Sequence, residues 1–224
     1  MRSSGPDSRL GRLRLRLLVR ALRALPSGHR PPATLLRHLQ RAWGNYSFAP
    51  RREYVAAVVD HALDTEGPVL ECGSGLTTLV LAALAARRGV PVVSLEHLEA
   101  WRGAVVRALA GLRAPAVQVV RAPLHDYGSF TWYAVPPGLP PKFRLVVCDG
   151  PPGATRGGRY GLLPVLGARL AAGATVLLDD ADRPEEAAVL ERWTQEAGWR
   201  TRRCGRYAVV TVPCGTPEPA GCPA

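Results

Sequence analysis

Residues 69–84, VLECGSGLTTLVLAAL, run from a short apolar strand pattern through a glycine turn and straight on into a helix pattern. Glycine lets a backbone approach a ligand closely, and a helix that opens behind such a turn presents unsatisfied N–H groups to it. Glu71 stands just before the turn, and Glu96 closes the next apolar run, in VSLEH. Polar residues close later apolar runs as well: APLHD at 122–126, Asp149 in LVVCDGPPG, and Asp179 with Asp180 in VLLDDAD. Acids at so many strand ends add nothing to a core, so they mark a place where something is bound.

A glycine turn between a strand and a helix suits either a dinucleotide or S-adenosylmethionine, and Glu96 would take ribose hydroxyls in both cases. Two residues weigh against the dinucleotide. Thr78 stands where the dinucleotide fingerprint has a third glycine for close helix packing. Glu71 would repel a diphosphate and attract a ligand that carries an ammonium and a sulfonium.

The elements that must position these residues alternate along the chain. Helix patterns are expected at 52–64, 77–88, 98–111, around 161–171 and at 184–197. Strand patterns are expected at 69–73, 91–96, 117–121, 144–149 and 175–179, followed by a closing hairpin from WRTRRC and YAVVTV around Gly205. Strands alternating with helices imply an α/β domain with a parallel sheet covered on both faces. In such a sheet the ligand sits beyond the carboxyl ends of the strands, where strand order reverses. The intervening stretch HDYGSFTWYAVPPGLPPK reads as irregular, with Trp132 and Tyr133 either walling an acceptor ring or, as expected of large aromatics, packing beneath it.

In order and spacing, LECGSGLTT, VSLEH, LVVCDGPPG and VLLDDAD resemble the class I S-adenosylmethionine-dependent methyltransferases over residues 52–212. The resemblance implies a Rossmann-like, doubly wound, mostly parallel seven-stranded sheet with a C-terminal antiparallel hairpin. It implies a cofactor site of Glu71, Gly73, Gly75 and Thr77 at the methionine half, Glu96 at the ribose, Ala122 and Leu124 at the adenine, and Asp149 near the methyl group. Asp149, Asp179 and Asp180 resemble the carboxylate set of the metal-dependent O-methyltransferases of the catechol and macrolide or aminocoumarin sugar types. In those enzymes Mg²⁺ holds an acceptor hydroxyl. Pro151 stands where the sugar-modifying relatives can carry a further acid.

The expected activity is methyl transfer to a small molecule, with oxygen as acceptor atom and Mg²⁺ as a candidate partner of the three aspartates. Without a metal, the base would come from Asp149, or from His125 and Asp126 on the irregular stretch. Arg159, in GATRGGRYGLLP, would clamp an anionic group on the acceptor or lie solvated on a mobile loop. Alternatives are methylation of RNA or protein gripped by a basic arm, a cofactor-binding module without turnover, and NAD-dependent oxidoreduction.

That basic arm follows from the charge distribution. The net charge is +11, and residues 1–52 carry twelve Arg against the single acid Asp7, so the remainder is neutral. We expect three parts: an arm at 1–51, a catalytic domain at 52–213, and a Pro- and Gly-rich disordered tail at 214–224. RLGRLRLRLLVRALRAL, residues 9–25, reads as an amphipathic helix with Leu10, Leu13, Leu17 and Leu25 on its apolar side and Arg9, Arg12, Arg16, Arg20 and Arg23 around the other. The helix could contact an anionic membrane or a nucleic acid, cap the cleft, or pack on the domain. RAWGNYSF, residues 41–48, could close over a ligand. Five cysteines without a CxxC pair exclude zinc spacing, place Cys72 and Cys148 in the core, and fit a reducing cytoplasm.

Overall fold

The computed structural model describes residues 9–44, 50–110, 112 and 116–214. Its elements, in chain order, are α1 (Arg9–Ala24), α2 (Ala33–Trp43), α3 (Arg52–Asp64), β1 (Val69–Cys72), α4 (Leu76–Arg88), β2 (Val92–Glu96), α5 (Glu99–Ala110), β3 (Val117–Arg121), β4 (Leu124–Asp126), β5 (Thr131–Tyr133), β6 (Phe143–Cys148), β7 (Leu170–Leu178), α6 (Pro184–Ala197), β8 (Arg200–Cys204) and β9 (Tyr207–Thr211). Seven strands form one sheet in the order β3-β2-β1-β6-β7-β9-β8. The first five of these are parallel, and β9 joins β7 and β8 antiparallel. The expected α/β architecture with its closing hairpin is what the chain adopts.

Alternation along the strands divides the core. Val69, Leu145, Val147, Leu177 and Val209 face α3 and α4, while Leu70, Val146, Val176, Leu178 and Val210 face α6 and the buried rings of Trp132, Trp193 and Trp199. Cys72 and Cys148 are fully buried on the second side, as small apolar residues would be.

Three local expectations are corrected. The expected helix at 161–171 is replaced by two short irregular turns, Leu162–Leu166 and Gly167–Arg169, and β7 already begins at Leu170. Pro164 and Gly167 break the helical run, and Leu170 and Ala171 pass into the sheet. Part of the stretch read as irregular forms a separate hairpin, β4 with β5. The buried face of α1 is Leu15, Val19 and Leu22, packed in one cluster with Leu79, Val80 and Ala83 of α4, whereas Leu10, Leu13 and Leu17 point to solvent. The N-terminal helices are therefore docked on the sheet domain. Helix α2, which the sequence did not announce, buries Leu36, Leu39, Ala42 and Trp43 beside α1. The expected tail lies outside the described residues apart from Cys214, and RAWGNYSF is described only to Gly44. Among the described residues, no helix is long and apolar enough to cross a membrane.

Candidate active site

Strand order reverses between β1 and β6, and the parallel ladder continues one residue past the strand ends there. Gly73 N donates to Leu95 O at 3.0 Å, Asp149 N to Cys72 O at 3.0 Å, and Asp179 N to Cys148 O at 3.1 Å. Gly73, Asp149 and Asp179 thus stand side by side at the carboxyl end of the sheet. They border a cleft of about 1030 Å³ whose lining includes Ser74, Gly75, Thr77, Glu96, Asp180 and Arg159.

The two glycines of the turn do different work. Gly73 has φ +90°, and a Cβ there would meet Gly150 N at 3.0 Å, so this position needs glycine twice over. Gly75 has extended backbone, and a Cβ there would meet nothing within 4 Å. Its missing side chain leaves open space in the cleft.

Glu71 does not line the cleft. It is fully buried beneath the turn, where its Oε2 accepts from Ser94 Oγ at 2.5 Å and Thr78 Oγ1 at 2.6 Å. Thr78 Oγ1 in turn accepts from Gly75 N at 2.8 Å. The threonine at the third-glycine position is thus the link through which the acid fixes the turn. Burial pushes the Glu71 carboxyl up to about 7, against the lowering effect of the hydroxyls of Ser94, Thr77 and Thr78. Its Oε1 is buried and has no hydrogen-bond partner among the described residues.

Glu96 does reach the cleft. Its Oε2 accepts from Ser74 N at 3.1 Å and Ser74 Oγ at 2.7 Å, and its Oε1 accepts from Leu98 N at 2.9 Å. A carboxylate offers about four acceptor sites, so about one remains on Oε1. His97 Nδ1 lies 3.2 Å from that oxygen, and Trp101 Nε1 donates to Ser74 O at 2.8 Å, closing this end of the site.

Asp149, Asp179 and Asp180 converge, with one oxygen of each within 4.8 Å of the others. The cation among them is Arg159. Its Nη2 lies 3.3 Å from Asp149 Oδ1 and 3.4 Å from Asp180 Oδ2, its Nε lies 3.7 Å from Glu186 Oε1, and its Nη1 donates to the Asp179 carbonyl. The side chain is 2% exposed. Burial pulls the guanidinium pKa down, and the carboxylates of Asp149, Glu186 and Asp180 raise it above its ordinary value, so it stays charged. Arg183 and Arg206 also reach Asp180. A divalent cation would add its charge to a cluster that already holds a buried guanidinium and two further arginines, so these residues do not fit Mg²⁺. Burial pushes Asp149 well up, opposed by Arg159. Burial likewise pushes Asp179 up to about 6, with the backbone of Asp180 and the Arg159 charge pulling back.

The reading of Arg159 as solvated on a loop is overturned. Gly157 and Gly158 fold the segment inward at positive φ, and a Cβ on Gly157 would sit 2.6 Å from Phe130 Cβ. His125 and Asp126 are exposed on β4, His125 packed edge-on to Tyr127 and Asp126 paired with Arg156, outside the cleft lining. The histidine in the cleft is His97. Ala122 is buried and Leu124 half-buried, and neither lines the cleft. Trp132 and Tyr133 are buried, and Tyr133 also borders the site. Beyond the expected residues, the lining includes Arg37, Arg41, Arg51 and Arg52 from α2 and the start of α3.

No protein-family model matches the chain, and no curated protein sequence does. Solved structures do. The chain is similar to an SAH-bound methyltransferase of Podospora anserina, with a TM-score of 0.59 and 14% identity over 88% of this chain and 93% of that one. It is also similar to a Staphylococcus aureus protein assigned as a caffeoyl-CoA O-methyltransferase, with a TM-score of 0.58 and 11% identity over 88% and 99%. A third is the precorrin-6y C5,15-methyltransferase of Geobacter metallireducens GS-15, with a TM-score of 0.53 and 14% identity over 75% and 91%. At such identities the likeness establishes the fold alone, a Rossmann-like, mostly parallel sheet shared with these methyltransferases.

Proposed function

We propose that the chain is an S-adenosylmethionine-dependent methyltransferase acting on a hydroxyl oxygen of a small molecule, without a metal. The observation that carries the reading is the open space left by Gly75, beside the acceptor position remaining on Glu96, at the strand-order reversal of this fold. The cofactor supplies an electrophilic methyl group on a sulfonium: the S–CH₃ bond breaks as the O–CH₃ bond forms, and sulfur keeps the electron pair as a neutral thioether.

The protein's residues orient this exchange. Glu71 and Thr78 hold the glycine turn, and Glu96 receives a ribose hydroxyl. Asp179 takes the proton of the acceptor hydroxyl. Its raised proton affinity suits a base that is ionised at neutral pH. Arg159 keeps Asp149, Asp180 and Glu186 in place as a fixed counterion, so the field around the base needs no rearrangement during transfer.

Calorimetric titration with S-adenosylhomocysteine, in Mg²⁺ and in EDTA, tests the reading. We expect equal binding in both and loss of binding in Gly75→Val with an unchanged melting temperature. Wild-type protein that binds no S-adenosylhomocysteine would sink the proposal, and binding only in Mg²⁺ would restore the metal.

A further inference from the structure

Four arginines enter the cleft from the N-terminal side. Arg37 and Arg41 stand one helical turn apart on α2, Arg51 is the N-cap of α3, and Arg52 is its first residue. All four are exposed, and no described acid lies within ion-pair distance of any of them. Arginines elsewhere on the surface do find acids: Arg102 pairs with Glu99, Arg192 with Glu196 and Arg206 with Asp182.

Each pair brings two like charges together, and the acid that lines the cleft beside them, Glu53 in the first turn of α3, is a single charge against four. Like charges four residues apart on a helix repel. Cations at a helix N-terminus oppose the dipole, and α3 has no side-chain cap to satisfy its first N–H groups. A bound anion relieves the repulsion within both pairs and complements the start of α3. It would neutralise four guanidinium groups and accept from the open end of α3. Four arginine forks and a helix terminus offer more donors than one carboxylate can accept, whereas a phosphate presents three oxygens and up to two charges.

We propose that the methyl acceptor carries a phosphate group bound by Arg37, Arg41, Arg51 and Arg52, a proposal that rests on the methyl-transfer reading of the same cleft. The N-terminal helices thereby form the acceptor-recognition wall.

The test titrates the full-length protein with inorganic pyrophosphate, with and without saturating S-adenosylhomocysteine, and with citrate as the carboxylate counterpart. We expect Arg37→Gln/Arg41→Gln and Arg51→Gln/Arg52→Gln each to weaken pyrophosphate at least tenfold. Affinity for S-adenosylhomocysteine should stay within about twofold, and Arg200→Gln on the outer strand β8 should change neither. Equal pyrophosphate affinity in wild type and both pairs would overturn the proposal. So would a parallel loss of S-adenosylhomocysteine, which would give the arginines to the cofactor's carboxylate, and so would citrate binding more tightly than pyrophosphate. Pyrophosphate binding in a protein that takes no S-adenosylhomocysteine would leave the anion site standing and remove the methyl-transfer reading alone.

Discussion

The two walls of the cleft handle charge in opposite ways. On the strand-end wall the buried Arg159 is matched to Asp149, Asp180 and Glu186, and Glu96 is engaged by Ser74 and Leu98. On the N-terminal wall four arginines and one acid, Glu53, face the same space, and none of the four arginines is within ion-pair distance of a described acid. Matched charges hold a geometry, whereas unmatched ones in a concavity are available to a ligand. In the proposed function, the wall that would do the chemistry is built in advance, and the wall that would select the acceptor is completed by it.

The largest expected effect falls on the proposed base. Asp179→Asn should lower methyl transfer by about 10²–10⁴-fold in a single-turnover assay while leaving S-adenosylhomocysteine affinity unchanged. In the wild type the rate should rise through an inflection near pH 6 and stay flat above it. A profile without that inflection would point to another base.

Removing the counterion should unmake the built wall. Arg159→Leu strands buried carboxylates and should destabilise the fold by about 3–5 kcal/mol in urea titration. Mg²⁺ should raise the melting temperature of this variant and leave that of the wild type unchanged. If Mg²⁺ stabilises the wild type equally, Arg159 does not stand in for a cation.

Glu71 gives a pH signature. Its carboxyl is raised in the folded chain, so its contribution to stability is greatest below about pH 4.5 and is lost as pH climbs toward about 7, by up to about 3 kcal/mol. Asp179 adds a loss of the same sign below about pH 6. In Glu71→Gln the amide oxygen can replace Oε2 as acceptor for Ser94 and Thr78, so the decline between pH 4.5 and 7 should shrink. An identical decline in chemical denaturation would show that Glu71 is ionised at little cost.

The smallest effect belongs to Glu96→Ala, which should weaken S-adenosylhomocysteine by about tenfold, the worth of one charge-assisted hydrogen bond. Unchanged affinity in calorimetry would take Glu96 out of the cofactor site.

The central strands were legible because β1, β2, β6 and β7 are largely apolar and each runs into a glycine or an acid, at Gly73, Glu96, Asp149 and Asp179. The run GLLPVLGARL was not, since a short apolar stretch has no period that separates buried turns from the start of a strand, and only the sheet partner decides. Helix α2 escaped notice because its apolar residues cover α1 rather than the sheet. Within the site, residue types revealed the glycine turn and the acids. They could not show that Glu71 lies beneath the turn, or that Arg159 turns inward, because both depend on which side of the backbone packs. An arginine among glycines reads as a loop until Phe130 packs against Gly157 and Glu186 faces the guanidinium.

The outer edge strand β8 carries Arg200, Arg202 and Arg203, all exposed. Two copies meeting edge to edge would bring these rows of like charge together just where a new ladder would have to form. The arginines therefore act as a barrier to strand addition, and the sheet can end in solvent without recruiting a neighbour.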